Sequence, residues 1–98
     1  MKRGSGSLPM KSVLFYWGKG SEVRVHIIQI VGACNEKKEA CYLNQIAEKL
    51  GLSHVAVKRH LDLLVEEGYV RETNPGGKPV YLELTSTGRK VEEEFKKK

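Results

Sequence analysis

No run of about 18 or more apolar residues occurs in this 98-residue chain, so no segment reads as a membrane-crossing helix. The opening stretch MKRGSGSLPMK is basic but has no apolar core of the kind a secretory leader needs. Cysteine is scarce: Cys34 and Cys41 are the only two. That is too few for a disulfide scaffold, and six intervening residues exclude a C-x-x-C motif. The plainest reading of the two thiols is as small buried hydrophobes, with a Cys34–Cys41 bridge or a redox or metal-sensing role as the alternatives. No Ser/His/Asp arrangement, phosphate-cradling Gly loop or metal-ligand spacing is found, so we expect no catalytic residue, metal or cofactor. The chain does not read as an enzyme. The expected location is the cytoplasm.

What is present is ordinary globular material, 40% hydrophobic and 30% charged, of a length suited to one domain. The net charge of +5 is unevenly spread. Residues 1–20 carry +4 and residues 86–98 carry +2, while the stretch between them sums to −1. Such a balance permits an anionic partner, but the case depends on where the middle cations point.

The arm over residues 1–20 includes RGSGSLP, a linker composition, and the apolar VLFYW at 13–17. Ser21 is placed to cap a helix, with Glu22 in its first turn. Val23, Ile27, Ile30 and Val31 recur at helical spacing, and Val25 and Ile28 widen the stripe. A helix this apolar predicts burial on two sides, against VLFYW or a second subunit. CNEKKEA, 34–40, reads as a polar loop.

A second helix is predicted from about Tyr42 or Leu43 to Leu50, with Ile46, Ala47 and Leu50 inward. Gly51 ends it in the left-handed conformation, and Leu52 is placed to plug the corner. Ser53 caps a third helix, about His54 to Glu67, with Val57, Leu61, Leu64 and Val65 on its inner side, and Gly68 closes it. YVRET and VYLEL then alternate as strands around NPGGKP, giving a β-hairpin in which Pro79 marks a strand start or an edge. Thr85 to Gly88 interrupts the pattern. Arg89 to Lys98 forms a last helix with Val91 and Phe95 inward.

Two short helices meeting at a glycine corner place the second in the major groove of DNA. The third helix fits that role, because its first two turns present Ser53, His54, Val55, Lys58 and Arg59 outward, while Asp62, Glu66 and Glu67 trail behind. Arg and Lys bond guanine edges or phosphates, Ser and His bond either, and Val55 suits a thymine methyl. Arg71 and Lys78 flank the hairpin tip and are placed for the phosphate backbone or minor groove. His60 and His26 read as packed or hydrogen-bonded side chains, not as ligands.

LNQIAEKLGLSHVAVKRHLDLLVEEGYVRE followed by GGKPVYLELTSTGRK resembles the winged helix-turn-helix of bacterial and archaeal transcription regulators of the ArsR/MarR type. The likeness spans about Leu43 to Lys90, and SEVRVHIIQIV resembles their first helix. It rests on Ile46, Ala47, Leu50, Gly51, Ser53, Val57, His60, Leu61, Leu64, Gly68, Tyr69 and Val70, then Leu84, Thr85 and Gly88. The resemblance implies an α+β, mainly α fold: a three-helix core, a two-stranded β wing and a C-terminal helix. On this reading residues 1–20 are an arm, 21–85 the DNA-binding domain, and 86–98 a helix available for dimer contact. It also implies a homodimer on double-stranded DNA, associated with the nucleoid. VLFYW, the first helix and the Val91/Phe95 tail are the candidate dimer contacts. The metal-sensing cysteine motif of ArsR proteins is absent from SHVAVKRHL, so metal sensing does not carry over. A winged-helix module that binds protein instead of DNA is the competing expectation.

Overall fold

Burial of one apolar stripe organises the molecule. The computed structural model describes residues 14–16 and 19–96. The remainder of the arm, with Val13, Trp17 and Gly18, and the last two lysines lie outside the described residues.

Helix α1 spans Ser21–Glu36 and buries Ile27, Ile28, Val31 and Cys34. Its N-cap is Gly20, not Ser21, and no side chain caps this end. Gly20 adopts φ 84°, and a Cβ there would collide with His60 Cε1. Close approach to the third helix therefore sets the start, ahead of capping preference. The helix also runs through Cys34–Glu36, where a loop was expected. Cys34 lies seven residues after Ile27 on the same face, is 2% exposed, and extends the stripe by one turn. Of the two coverings expected for this helix, the intramolecular one is present. Leu14 and Phe15 are buried in the common core, and Phe15 packs edge-on to Tyr69 at 5.1 Å.

Arg24 emerges from α1 into this packing and is only 8% exposed. Its Nε donates to the Leu14 carbonyl at 2.9 Å and its Nη2 to the Lys19 carbonyl at 3.0 Å. Its Nη1 lies 3.3 Å from His60 Nδ1. One side chain thus fastens the segment before α1 to the helix that presents the outer cations.

Helix α2 spans Leu43–Leu50, with Ile46 and Ala47 buried. Gly51 ends it at φ 67°, and the Leu52 N–H reaches back to the Ala47 carbonyl at 3.1 Å. Leu52 itself is 38% exposed, so backbone hydrogen bonding closes the corner and the expected apolar plug is not used. Helix α3, His54–Glu66, follows at once, its first turn capped by Ser53 Oγ accepting from Ala56 N at 3.1 Å. Val57, Leu61 and Leu64 anchor its inner side.

Strands β1, Val70–Glu72, and β2, Leu82–Leu84, pair antiparallel, with Arg71 opposite Glu83. They are shorter than the alternation suggested because the side chain of Asn74 organises the tip. Its Oδ1 accepts from Tyr81 N at 2.7 Å and its Nδ2 donates to the Pro79 carbonyl at 3.1 Å. Pro79 accordingly sits in the tip ahead of β2. On the other side of β2, Leu82 N donates to the Cys41 carbonyl at 2.8 Å, and Tyr42 and Tyr81 form a bridge.

Helix α4 spans Ser86–Lys96, starting three residues before the expected Arg89. Thr85 is the reason. Its Oγ1 accepts from Gly88 N at 3.1 Å and donates to the Gly68 carbonyl at 2.5 Å. The hydroxyl therefore caps α4 while joining it to the end of α3. Val91 enters the core, and Phe95 packs on Tyr16 at 5.2 Å. The result is a mainly helical α+β fold with a two-stranded wing.

Candidate nucleic-acid interface

The corner at Gly51 and the cap at Ser53 fix where α3 begins, so they also fix what its first turns present. Ser53, His54, Lys58 and Arg59 are all exposed, and Val55 is 70% exposed, high for an apolar side chain. Asp62 and Glu66 lie on exposed positions further along the same helix. The five residues named from the sequence on α3 are thus together at its leading end.

The two wing cations separate. Lys78 lines a cleft of about 680 Å³ between α3 and the wing, together with Lys58, Asp62, Glu72, Tyr42 and Tyr81. Arg71 is not part of that lining. It borders a smaller depression with Glu83, Ser86 and Arg89. Adjacent strand residues point to opposite faces, which turns Glu72 toward α3 and Arg71 away from it. Tyr42 and Asn44, which no sequence motif singles out, border the cleft beside Lys58. Their only signal in the sequence is a position at the start of α2.

Two of the selected cations already have acidic neighbours. Lys58 Nζ donates to Asp62 Oδ1 at 2.9 Å, and Arg71 Nε donates to Glu83 Oε1 at 2.7 Å.

The remaining expectations fall as follows. His60 is half-buried against Arg24, as expected of a packed histidine, whereas His26 is exposed. Cys34 and Cys41 are free and buried in the core. Burial, with Cys34 beside it, pushes the Cys41 thiol up to about 12, so that thiol stays protonated at neutral pH. Of the expected dimer contacts, Phe15 and Val91 are buried within one protomer, while Tyr16 remains 41% exposed. Among the described residues, no group of three His, Cys, Asp or Glu side chains is placed to hold a metal ion.

Burial, and secondarily the Arg24 charge, hold the His60 imidazole below its ordinary value. On acidification the unfolded chain therefore takes up this proton first. The stabilising contribution is complete above about pH 6.5 and is lost as pH falls through the lower folded-state value. Thermal melts between pH 7.5 and 5 should show a Tm that declines with acidity. His60→Gln should flatten part of that decline, and equal slopes for the two proteins would contradict the assignment.

Residues 21–72 match the family model described as bacterial regulatory protein, arsR family. No curated protein matches the chain by sequence. Among solved structures, the zinc-responsive MarR family member ZitR from Lactococcus lactis is similar, with a TM-score of 0.66 and 26% identity over 81% of this chain and 53% of that one. The adhesin competence repressor AdcR from Streptococcus pyogenes has a TM-score of 0.66 and 19% identity over 76% of this chain and 53% of that one. A mutant of MarR from E. coli, complexed with operator DNA, has a TM-score of 0.64 and 21% identity over 76% of this chain and 51% of that one. The chain spans about half the length of each of these three proteins.

Proposed function

The chain belongs to the arsR family of bacterial regulatory proteins, and from that premise we propose that it is a sequence-specific regulator of transcription acting on double-stranded DNA. Helix α3 enters the major groove by its N-terminal end, and the wing lies on the backbone or in the minor groove. The observation that carries this reading is the exposed group Ser53, His54, Val55, Lys58 and Arg59 at the leading end of a helix whose start is rigidly set. A helix of this width fits the roughly 12 Å major groove, and those side chains suit base edges and phosphates. Lys78, beside Lys58 across the cleft, extends the same cationic edge onto the wing. Similarity to a MarR protein solved on operator DNA supports the mode.

The working unit is a homodimer, in keeping with the palindromic sites that helix-turn-helix dimers read. Tyr16, 41% exposed and packed on Phe95 of α4, supplies its contact together with that helix. The protein acts in the cytoplasm, on the nucleoid. Sedimentation at micromolar concentration should give twice the chain mass, and a monomer at all concentrations would remove the dimer from this reading.

Binding is tested by fluorescence anisotropy on duplexes selected from a random pool, at two salt concentrations. Wild-type affinity should fall with salt, with a slope of about −0.9 for each phosphate neutralised. Lys58→Ala with Arg59→Ala should weaken binding by about 1–3 kcal/mol for each side chain that had bonded a base edge. Intact binding by the double variant would show that another surface reads the DNA. A protein-binding winged helix is the second reading, favoured by the acids Asp62, Glu72 and Glu83 among the outer cations. It predicts no duplex binding at either salt.

A further inference from the structure

A helix in the major groove and a wing on the neighbouring backbone or minor groove stand on either side of one sugar–phosphate strand. The space between helix and wing must therefore admit that strand. In this chain it is the cleft of about 680 Å³ between α3 and the wing. Its formal charges cancel, because Lys58 and Lys78 line it together with Asp62 and Glu72. Lys58 is moreover held by Asp62 at 2.9 Å. Net charge alone gives a phosphate little reason to settle there, so directed hydrogen bonds from neutral groups must add to it.

Tyr42 and Tyr81 are placed to supply them. Both line the cleft, and their backbones form a bridge, secured where Leu82 N donates to the Cys41 carbonyl at 2.8 Å. The two rings lie 6.2 Å apart at 74°, so each fixes the other edge to face. Tyr42 is half-buried, and Tyr81 is 38% exposed. Among the described residues, neither hydroxyl has a hydrogen-bond partner. Each is a donor that the chain itself leaves open, and tyrosine hydroxyls are among the groups that bond DNA phosphates.

We infer that Tyr42 and Tyr81 are phosphate-contacting residues, whose hydroxyls donate to the strand that passes between α3 and the wing. The inference rests on the DNA-binding reading of those two elements. The bridge and the ring contact hold both side chains in place before DNA arrives, so little rotamer freedom is lost on binding. A phosphate carries no sequence information, so the pair sets how the strand is seated and leaves base reading to α3.

The test is the double variant Tyr42→Phe with Tyr81→Phe, which removes both hydroxyls and keeps both rings. Since the hydroxyls bond no described residue, the variant should fold with an unchanged Tm. Fluorescence anisotropy of the full chain, on the best duplex that the wild type selects from a random pool, should show binding weakened about 5- to 25-fold, an ordinary hydrogen bond for each hydroxyl. The salt slope should stay the same, because a neutral donor replaces no counterion, whereas each cation lost from the strand would make it shallower by about 0.9. Ethylating single phosphates of that duplex should reveal one or two positions that weaken the wild type and leave the variant nearly indifferent. Unchanged affinity overturns the inference. A lower Tm or a shallower slope also overturns it, since the hydroxyls would then hold the fold or position a lysine. Ethylation that weakens both proteins equally at every phosphate does the same. A wild-type chain that binds no duplex overturns the DNA reading and this inference with it, whereas binding by the wild type that the double variant matches overturns only this inference.

Discussion

Leu64→Ala is expected to lower the unfolding free energy by about 2–5 kcal/mol. Leu64 has no exposed surface and lies in the core with Val57 and Leu61 of its own helix. Alanine and leucine are both strong helix formers, so α3 itself should not be weakened locally. The loss then reports the transfer of the isobutyl group and the cavity it leaves. Set against the roughly 5–15 kcal/mol that such a domain has in total, this is a substantial share. Urea denaturation followed by circular dichroism measures it. A loss under about 1 kcal/mol would mean that the surrounding side chains collapse freely into the gap, which is at odds with a well-packed site.

Gly88→Ala carries the second large expectation, and here two effects compete. Alanine in a helix is favoured over glycine by up to about 1 kcal/mol, so propensity alone predicts a more stable protein. Packing predicts the reverse. A Cβ at this position would overlap the Tyr69 carbonyl oxygen and stand 3.3 Å from Leu84 Cδ2. The carbonyl has little room to turn away, because it accepts from Thr85 N at 3.1 Å. Backbone must shift, and the net outcome should be a destabilisation of about 2–3 kcal/mol. For a domain of this size that lowers Tm by roughly 10 °C or more. A higher Tm would show that α4 has room to move away from the residue that leads into β1.

The same close approach explains why Leu84, Thr85 and Gly88 stand out in the sequence. Leu84 pairs with Val70, Thr85 caps α4 and binds the end of α3, and Gly88 admits the carbonyl of Tyr69. The spacing is visible in the sequence, but its purpose is not, because it depends on chain segments some 20 residues apart. The helices and their corner were legible because apolar residues recur at helical spacing and Gly51 and Ser53 act locally. Errors arose where a polar-looking residue is recruited by packing or capping. Cys34 prolongs α1 by filling the core, and Thr85 starts α4 early by capping it. Leu52 differs from expectation for the opposite reason: backbone hydrogen bonds already close the corner, and no apolar plug is required.

On the candidate interface, the five α3 residues could be read from helix geometry alone. The division between Lys78 and Arg71 could not, because it needs the register of the hairpin and the shape of its tip. The Lys58–Asp62 pair lies within reach of sequence, being four residues apart on one helix, whereas Arg71–Glu83 follows only from the register. Arg24 offered one clue, a cation inside an apolar stripe. Its partners at Leu14, Lys19 and His60 are set by tertiary structure.

The guanidinium of Arg24 grips three parts of the chain at once: the stretch ahead of α1, α1 itself and, through His60, the middle of α3. That side chain acts as a rivet between Leu14 and Lys19 on one side and α3 on the other. A displacement of α3 that carries His60 with it therefore pulls on the same guanidinium that holds the carbonyls of Leu14 and Lys19.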